Sequence, residues 1–284
     1  MWNVMSTLGR RRCGRELIDA EQALAEGRYA DAYAYYGKMC ERRDLGERER
    51  ALAGGRAFAA RKQMQEAAGG WVDLMPNRCG GDTWNHWNDI VLGDDGRVRL
   101  KRGNRCHALS LVSVPGIGSE FEATVHFEKG KPDQKAWDIG WGWARPFRCN
   151  QSAWAYPYLY FTRDEKGDHF AIDSWTEENK ELKAKNDANY WDKNRGKDPL
   201  RRVCSVDLEP ADSHSFRAIF GKTDFVVEVD GRQVYTRPMD DLLSVDYQSD
   251  RVQYPSGDVM PTWKVYEGCA FSGYRYRRVP AKEK

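Results

Sequence analysis

Residues 214–235 read His-Ser-Phe-Arg-Ala-Ile-Phe-Gly-Lys-Thr-Asp-Phe-Val-Val-Glu-Val-Asp-Gly-Arg-Gln-Val-Tyr. Phe216, Ala218 and Phe220 recur at every second position, the spacing of one face of a strand. After a polar break the alternation resumes with Phe225, Val227 and Val229. Asp230-Gly231 is a two-residue hairpin signal, and Gln233-Val234-Tyr235 returns from it. The stretch spells antiparallel strands and contains no helical period.

The same pattern extends outward in both directions. Val98 and Leu100 alternate with Arg97, Arg99 and Lys101 after the turn Asp94-Asp95-Gly96. Phe121, Ala123, Val125 and Phe127 share one face, and Glu120, Glu122, Thr124 and His126 the other. Tyr156, Tyr158 and Tyr160 alternate in turn. His169 to Ile172 follows the turn Lys166-Gly167-Asp168, and Tyr274, Tyr276 and Arg278 close the series. Ten or more short strands without intervening helices predict an antiparallel sandwich or jelly roll over residues 71–280. Residues 177–197, rich in Lys, Asn and Asp, read as a long surface loop.

Residues 1–68 differ. They lack proline and keep a helical period. Leu17, Ala20 (or Glu21) and Leu24 recur at three- and four-residue steps, Gly27 breaks the pattern, and Tyr29, Ala32, Tyr36 and Met39 resume it. A third helix is predicted from about Glu47 to Glu66, with Leu52, Phe58 and Met64 inward. Gly69-Gly70 stops it. Gly27-x-Tyr29-x-x-Ala32-x-x-x-Tyr36-x-x-Met39 resembles the turn and second helix of a tetratricopeptide repeat, with Ala20 to Leu24 in the first helix. Only about one and a half repeats fit, where roughly three stand alone, so the helices are expected to need a neighbour. The alternative is a plain three-helix hairpin. The Gly69-Gly70 junction, followed at once by Trp71, predicts that helices and sandwich pack together.

The β region resembles a concanavalin A-like lectin/glucanase sandwich, closest to the laminin-G-like and 3-keto-disaccharide hydrolase-like modules found in many bacteria. The residues behind this are Asp95 to Leu100, Gly118-Ser-Glu-Phe-Glu-Ala-Thr-Val125, the 214–234 stretch quoted above, and the closing strand after Gly268. The resemblance implies a mainly β fold, a jelly-roll sandwich preceded by a small helical segment. Its relatives divide into sugar binders, glycoside-cleaving enzymes and adhesion or scaffold modules.

Retaining glucanases of this fold carry Glu-x-Asp-x-x-Glu on one strand, which sets two carboxylates on one face of a cleft. No such strand is present. Glu120-Phe121-Glu122 leads into a core strand, and Glu228 and Asp230 are expected to face solvent. Asp164-Glu165-Lys166-Gly167-Asp168 is acid-rich, but Lys166 sits at its centre, so it reads as a solvated hairpin turn rather than a calcium loop. No Gly-x-Ser-x-Gly elbow, His-Glu-x-x-His pair or phosphate-binding glycine loop occurs. No metal or cofactor is called for. Cys106-His107 are strand neighbours expected on opposite faces.

Four of the chain's eleven Trp fall within residues 137–161, together with Phe147, Tyr156, Tyr158, Tyr160 and Phe161. Trp and Tyr suit a core, and equally suit stacking on the apolar faces of sugar rings. The candidate ligand-binding residues are Trp141, Trp143, Arg145, Trp154, His169, Asp173 and Trp175. Arg145 and Asp173 would orient a hydroxylated ligand through hydrogen bonds.

The 284 residues carry 45 Lys+Arg against 43 Asp+Glu, which excludes a strongly basic nucleic-acid binder. No stretch approaches the ~20 apolar residues of a membrane span. Seven widely spaced cysteines without a Cys-x-x-Cys pair fit reduced thiols better than zinc or a full disulfide framework. The N-terminus lacks the regions of a secretory signal, which taken literally predicts a cytoplasmic chain. Arg10, Arg11, Arg12 and Arg15 read as a solvated helix start. Three functions are compatible with these observations. One is non-catalytic recognition of a carbohydrate or other ligand. The second is a glycoside-cleaving enzyme resembling the 3-keto-disaccharide hydrolases. The third is an interaction module whose helices reach a protein partner.

Overall fold

The computed structural model describes residues 7–75, 90–103, 105–109, 114–115, 118–128, 141–144, 154–175, 200–238 and 258–279. At 7–13, 105–109, 114–115, 141–144, 154–158, 173–175, 200–202 and 258–266 the description is of backbone alone. Three helices come first: α1 (Thr7–Ala25), α2 (Tyr29–Glu41) and α3 (Glu47–Ala67). Fifteen strands follow among the described residues. They are β1 (Val72–Asp73), β2 (Ile90–Leu92), β3 (Val98–Leu100), β4 (Arg105–Leu109), β5 (Val114–Pro115), β6 (Ser119–Phe127), β7 (Trp141–Ala144) and β8 (Trp154–Asp164), then β9 (Gly167–Trp175), β10 (Leu200–Leu208), β11 (Ser213–Phe220), β12 (Asp224–Val229), β13 (Arg232–Pro238), β14 (Asp258–Tyr266) and β15 (Cys269–Arg278).

Two antiparallel sheets form. The first runs β13-β12-β11-β6-β15-β3-β2, with β1 on β15. The second runs β10-β9-β8-β7-β14-β4, with β5 on β14. Phe121, Val125, Phe216, Val227 and Phe271 of the first sheet share one core with Leu159, Phe161, Phe170 and Ile172 of the second. The protein is therefore mainly β, a sandwich of two packed sheets with three helices attached.

The hairpin that opened the sequence reading forms as expected. Phe216 pairs with Val229 and Phe220 with Phe225. Asp230 and Gly231 take φ of 50° and 76°, the left-handed pair that a two-residue hairpin turn requires. One residue changes the alternation of β15. Gly273, with φ 64°, sits where the register against β6 shifts between Ser272 and Arg275. Cys269 and Phe271 before the bulge, and Tyr274 and Tyr276 after it, all reach the core although their parity differs.

The helices have a core of their own, built from Leu17, Ala20, Ala23, Ala32, Tyr36, Met39, Ala53, Ala57 and Ala60. Alanines 53, 57 and 60 form the face of α3 that lets it approach its neighbours. Leu52, predicted inward, lies one position off that stripe and is 36% exposed. Phe58 points the other way, into the sandwich core. The joint is polar around that plug. Arg61 binds the Asp73 carboxylate at 3.0 Å and the Met75 carbonyl at 3.3 Å. The Asp73 N–H donates to Gln65, and Tyr276 donates to Glu66. Trp71 lies under the Arg275 and Arg277 guanidiniums, at 4.8 and 4.5 Å from its ring centre. The packing predicted from the Gly69-Gly70 junction is present in these contacts. The predicted loop at 177–197 lies outside the described residues.

Candidate binding site

The β8–β9 hairpin carries the chemistry. Asp164 opens its turn, accepting the Lys166 N–H at 2.7 Å, and Gly167 supplies a φ of 125°. Alternation then separates two sets of β9 side chains. Asp168, Phe170 and Ile172 turn to the core, and His169 turns away from it. In register, Thr162 of β8 and Asp207 of β10 flank His169.

On the outward side, His169 stands between two carboxylates. Its Nδ1 is 2.9 Å from Asp207 and its Nε2 is 3.1 Å from Asp164. Burial alone would lower the His169 pKa. The hydrogen bonds it makes to both aspartates outweigh burial and raise it. The Asp164 pKa is lowered, first by the Lys166 amide and then by His169. The Asp207 side chain is 91% exposed, so most of its acceptor capacity faces water. Ser205 and Val203 continue the exposed row along β10. The result is an imidazole biased to its charged form, with open carboxylate acceptors beside it. Such a set accepts hydrogen bonds from hydroxyl groups. No group of three or more His, Cys, Asp or Glu among the described residues is placed to hold a metal ion.

One position away, on the inward side, a second set has the same composition. Arg163 binds Asp168 through two hydrogen bonds, at 2.6 and 2.7 Å. His214 of β11 places Nε2 2.8 Å from Asp168 and Nδ1 2.7 Å from Asp230. Its ring stacks on Phe161 at 10° between planes, and Arg163 lies over Phe127 at 4.1 Å. Burial pushes the Asp168 carboxyl up. Hydrogen bonds from Arg163, His214 and the Ala211 N–H outweigh this and bring it down to about 2. Asp168 and His214 belong to opposite sheets, so this set is a polar joint inside the sandwich. Asp168 was read as part of a solvated turn. Its side chain is 1% exposed, because it occupies the inward parity of β9.

No protein-family model matches the chain, and no curated protein does. Solved structures match it in shape. The carbohydrate-binding module CBM66 from Bacillus subtilis is 12% identical, covers 69% of this chain and 95% of its own, and has a TM-score of 0.38. A putative glycosyl hydrolase from Parabacteroides distasonis is 10% identical over 75% of this chain and 95% of its own, with a TM-score of 0.42. The Emp47p carbohydrate recognition domain is 12% identical over 72% and 93%, with a TM-score of 0.42. The sandwich assignment rests on the strand pairing and the shared core.

The candidate residues fall in two places. Trp143 stands opposite Ala155 and Pro261, and Trp154 opposite Ala144. Trp175 pairs with Leu200, at the end of β9 away from the turn. These backbones gather at one end of the second sheet. Trp141 has Trp263 and Leu159 as Cα partners, and Leu159 is a core residue. Asp173 pairs with Tyr158 and Arg202. His169 lies by the turn, about 20 Å from Trp175 at roughly 3.3 Å per residue. The side chains of Trp141, Trp143, Trp154, Asp173 and Trp175, and Arg145 altogether, lie outside the described residues. So do the side chains of Cys106 and His107.

The sequence reading missed the acids that flank His169, and it missed the inward set entirely. A signal existed for the second. Asp168 has the parity of Phe170 and Ile172, and His214 that of Phe216 and Ala218. A charged residue at a core position of each of two strands marks a partnered pair. Among the other predicted acids, Glu120 is 2% exposed and bound by Arg217 and Arg277. Glu228, expected to face solvent, is held by Arg217 at 3.3 Å with its side chain 27% exposed. The Cys40 thiol donates to the Arg50 carbonyl at 3.9 Å and the Cys204 thiol to the Val234 carbonyl at 3.7 Å. No helix among the described residues is long and apolar enough to cross a membrane.

Proposed function

We propose that the outward face of the second sheet recognises a carbohydrate without cleaving it. The observation that carries this reading is the Asp164–His169–Asp207 set. It is open, rich in hydrogen-bond acceptors, and set on the β8–β9–β10 platform whose strands also hold Trp154, Tyr156, Tyr158, Asp173 and Trp175. Carboxylates at the turn end of this hairpin would supply hydroxyl partners, and the Trp and Tyr residues carried by the same strands would supply an apolar ring face.

Affinity electrophoresis of the full chain through gels containing neutral polysaccharides tests the proposal. The wild type is expected to be retarded by at least one polysaccharide. His169→Ala and Trp175→Ala are expected to migrate freely with unchanged melting temperatures. Equal migration of all three in every gel rejects the reading.

A second reading draws on Ile18, Tyr33 and Leu52, which are 66%, 40% and 36% exposed on the three helices. In that reading the tetratricopeptide-like segment presents them to a protein partner. Ile18→Glu with Leu52→Glu would then release a co-purifying protein while sugar binding stays intact.

A further inference from the structure

The inward set contains a hydrogen-bonding problem. His214 has a carboxylate at each ring nitrogen, Asp230 at 2.7 Å and Asp168 at 2.8 Å. An ionised carboxylate only accepts, and a neutral imidazole has a single N–H. A neutral ring would therefore turn one nitrogen lone pair toward a carboxylate lone pair. The His214 and Asp168 side chains are both 1% exposed, so water cannot relieve the contact on that side, and the ring itself is closed to water although the Asp230 side chain is 47% exposed.

The remaining lone pairs are already engaged. Asp168 accepts from Arg163 and from the Ala211 N–H at 3.1 Å. Asp230 accepts the Ser215 N–H at 2.8 Å through its second oxygen. The groups around the ring are otherwise apolar, Phe161 stacked on it and Phe127 edge-on. Arg163 lies behind Asp168, and the backbone carbonyl of Ala211 takes another of its N–H groups. The Cys269 thiol is held neutral, its pKa pushed up to about 12 by burial. Asp212 and Glu128 are the next acids, acting on Arg163 and Cys269 respectively.

We propose that His214 is held as an imidazolium that donates to both carboxylates, so that one proton ties the two sheets together. Counted as Arg163, His214, Asp168 and Asp230, the set is then neutral, with His214 and Asp168 buried and Arg163 and Asp230 reaching the surface. The two ends of the chain come from different sheets. Asp168 begins β9 of the second, and Asp230 forms the hairpin turn after β12 of the first. Removing the proton turns a lone pair against a lone pair at this joint. The hairpin that carries Asp168 also carries Asp164 and His169 on its outer side, so the device lies directly beneath the outward set. The proposal does not depend on what that set binds.

Asp230→Asn gives a clean test. Asn tolerates the left-handed φ of 50° at this position. Its oxygen can keep the Ser215 N–H, and its amide can donate to His214 Nδ1. The neutral ring then becomes the satisfied one. Nitrogen-15 long-range spectra of the full chain at pH 7.5, about one unit above the ordinary histidine pKa, read both ring nitrogens directly. For the wild type, the expected result is two protonated nitrogens in His214, assigned by loss of the signal in His214→Gln. In Asp230→Asn, the expected result is a shift of Nδ1 to the unprotonated range with Nε2 still protonated. A wild-type ring with one protonated nitrogen overturns the proposal. So does an Asp230→Asn ring that stays doubly protonated.

Discussion

His169 and His214 each lie between two aspartates, and the sets meet at adjacent residues of β9, Asp168 and His169. Their surroundings differ completely. His214 is inside the sandwich with both neighbouring sheets supplying partners, and the outward set keeps Asp207 91% exposed. Both place a histidine between two aspartates, but only the inner histidine and one of its aspartates are buried, with Arg163 as a further partner. In the core, the charges must be fully matched, and the set works as a fastener. At the surface, unspent acceptors remain, and the set can meet a ligand. Strand alternation alone, a shift of one residue, decides which role each histidine has.

Breaking the inner set should have the largest effect. Asp168→Ala leaves Arg163 without its carboxylate and His214 with Asp230 alone. Removing one partner of a buried pair costs about 3–5 kcal/mol, so urea unfolding is expected to show the midpoint collapse or the soluble chain disappear. If Asp168→Ala unfolds like the wild type, the inner set holds nothing together.

Acid should weaken the same set more gently. The Asp168 pKa is depressed to about 2, below the ordinary carboxylate value of about 3.9. A depressed folded-state pKa contributes stability above the unfolded value, and that contribution is lost as pH falls through the folded one. Roughly 2 kcal/mol should therefore disappear between about pH 4 and pH 2. Unfolding free energies at the two ends, compared with Asp168→Asn, isolate it. The variant should start less stable and lose less.

The outer set should respond weakly and in the opposite direction. The His169 pKa is raised, so its contribution is complete below the ordinary histidine value and is lost as pH rises through the raised one. For a partly exposed pair, the amount stays within about 1 kcal/mol. His169→Gln should flatten a small drop in melting temperature on the alkaline side of neutrality. A large drop would mean that the outer set is structural too.

These contrasts also show what the sequence could disclose. Alternation in 121–127, 213–220 and 224–229 is unbroken, so these strands and their inward residues followed from local spacing. The closing strand was harder, because Gly273 inserts a bulge and reverses the parity between Phe271 and Tyr274. Leu52 was misplaced because α3 has two buried faces, an alanine stripe for the helices and Phe58 for the sandwich. Sheet order was beyond local reading. β6 lies between β11 and β15, partners far away in the chain. For the same reason the His214 set was invisible. Its members are drawn from β8, β9, β11 and the β12–β13 turn, and only the pairing of two sheets brings them together. His169 was found because it sits in a short pattern. The acids that complete its site were found only in the fold.

The most direct test of the contrast is a glycan-array profile of the full chain with Asp207→Asn and Asp230→Asn beside it. The account predicts a bound glycan for the wild type, about tenfold weaker binding for Asp207→Asn, in keeping with ~1.4 kcal/mol for a lost charge-assisted hydrogen bond, and wild-type binding for Asp230→Asn. A wild-type chain that binds no glycan, or an Asp207→Asn chain that binds as well as the wild type, would contradict it.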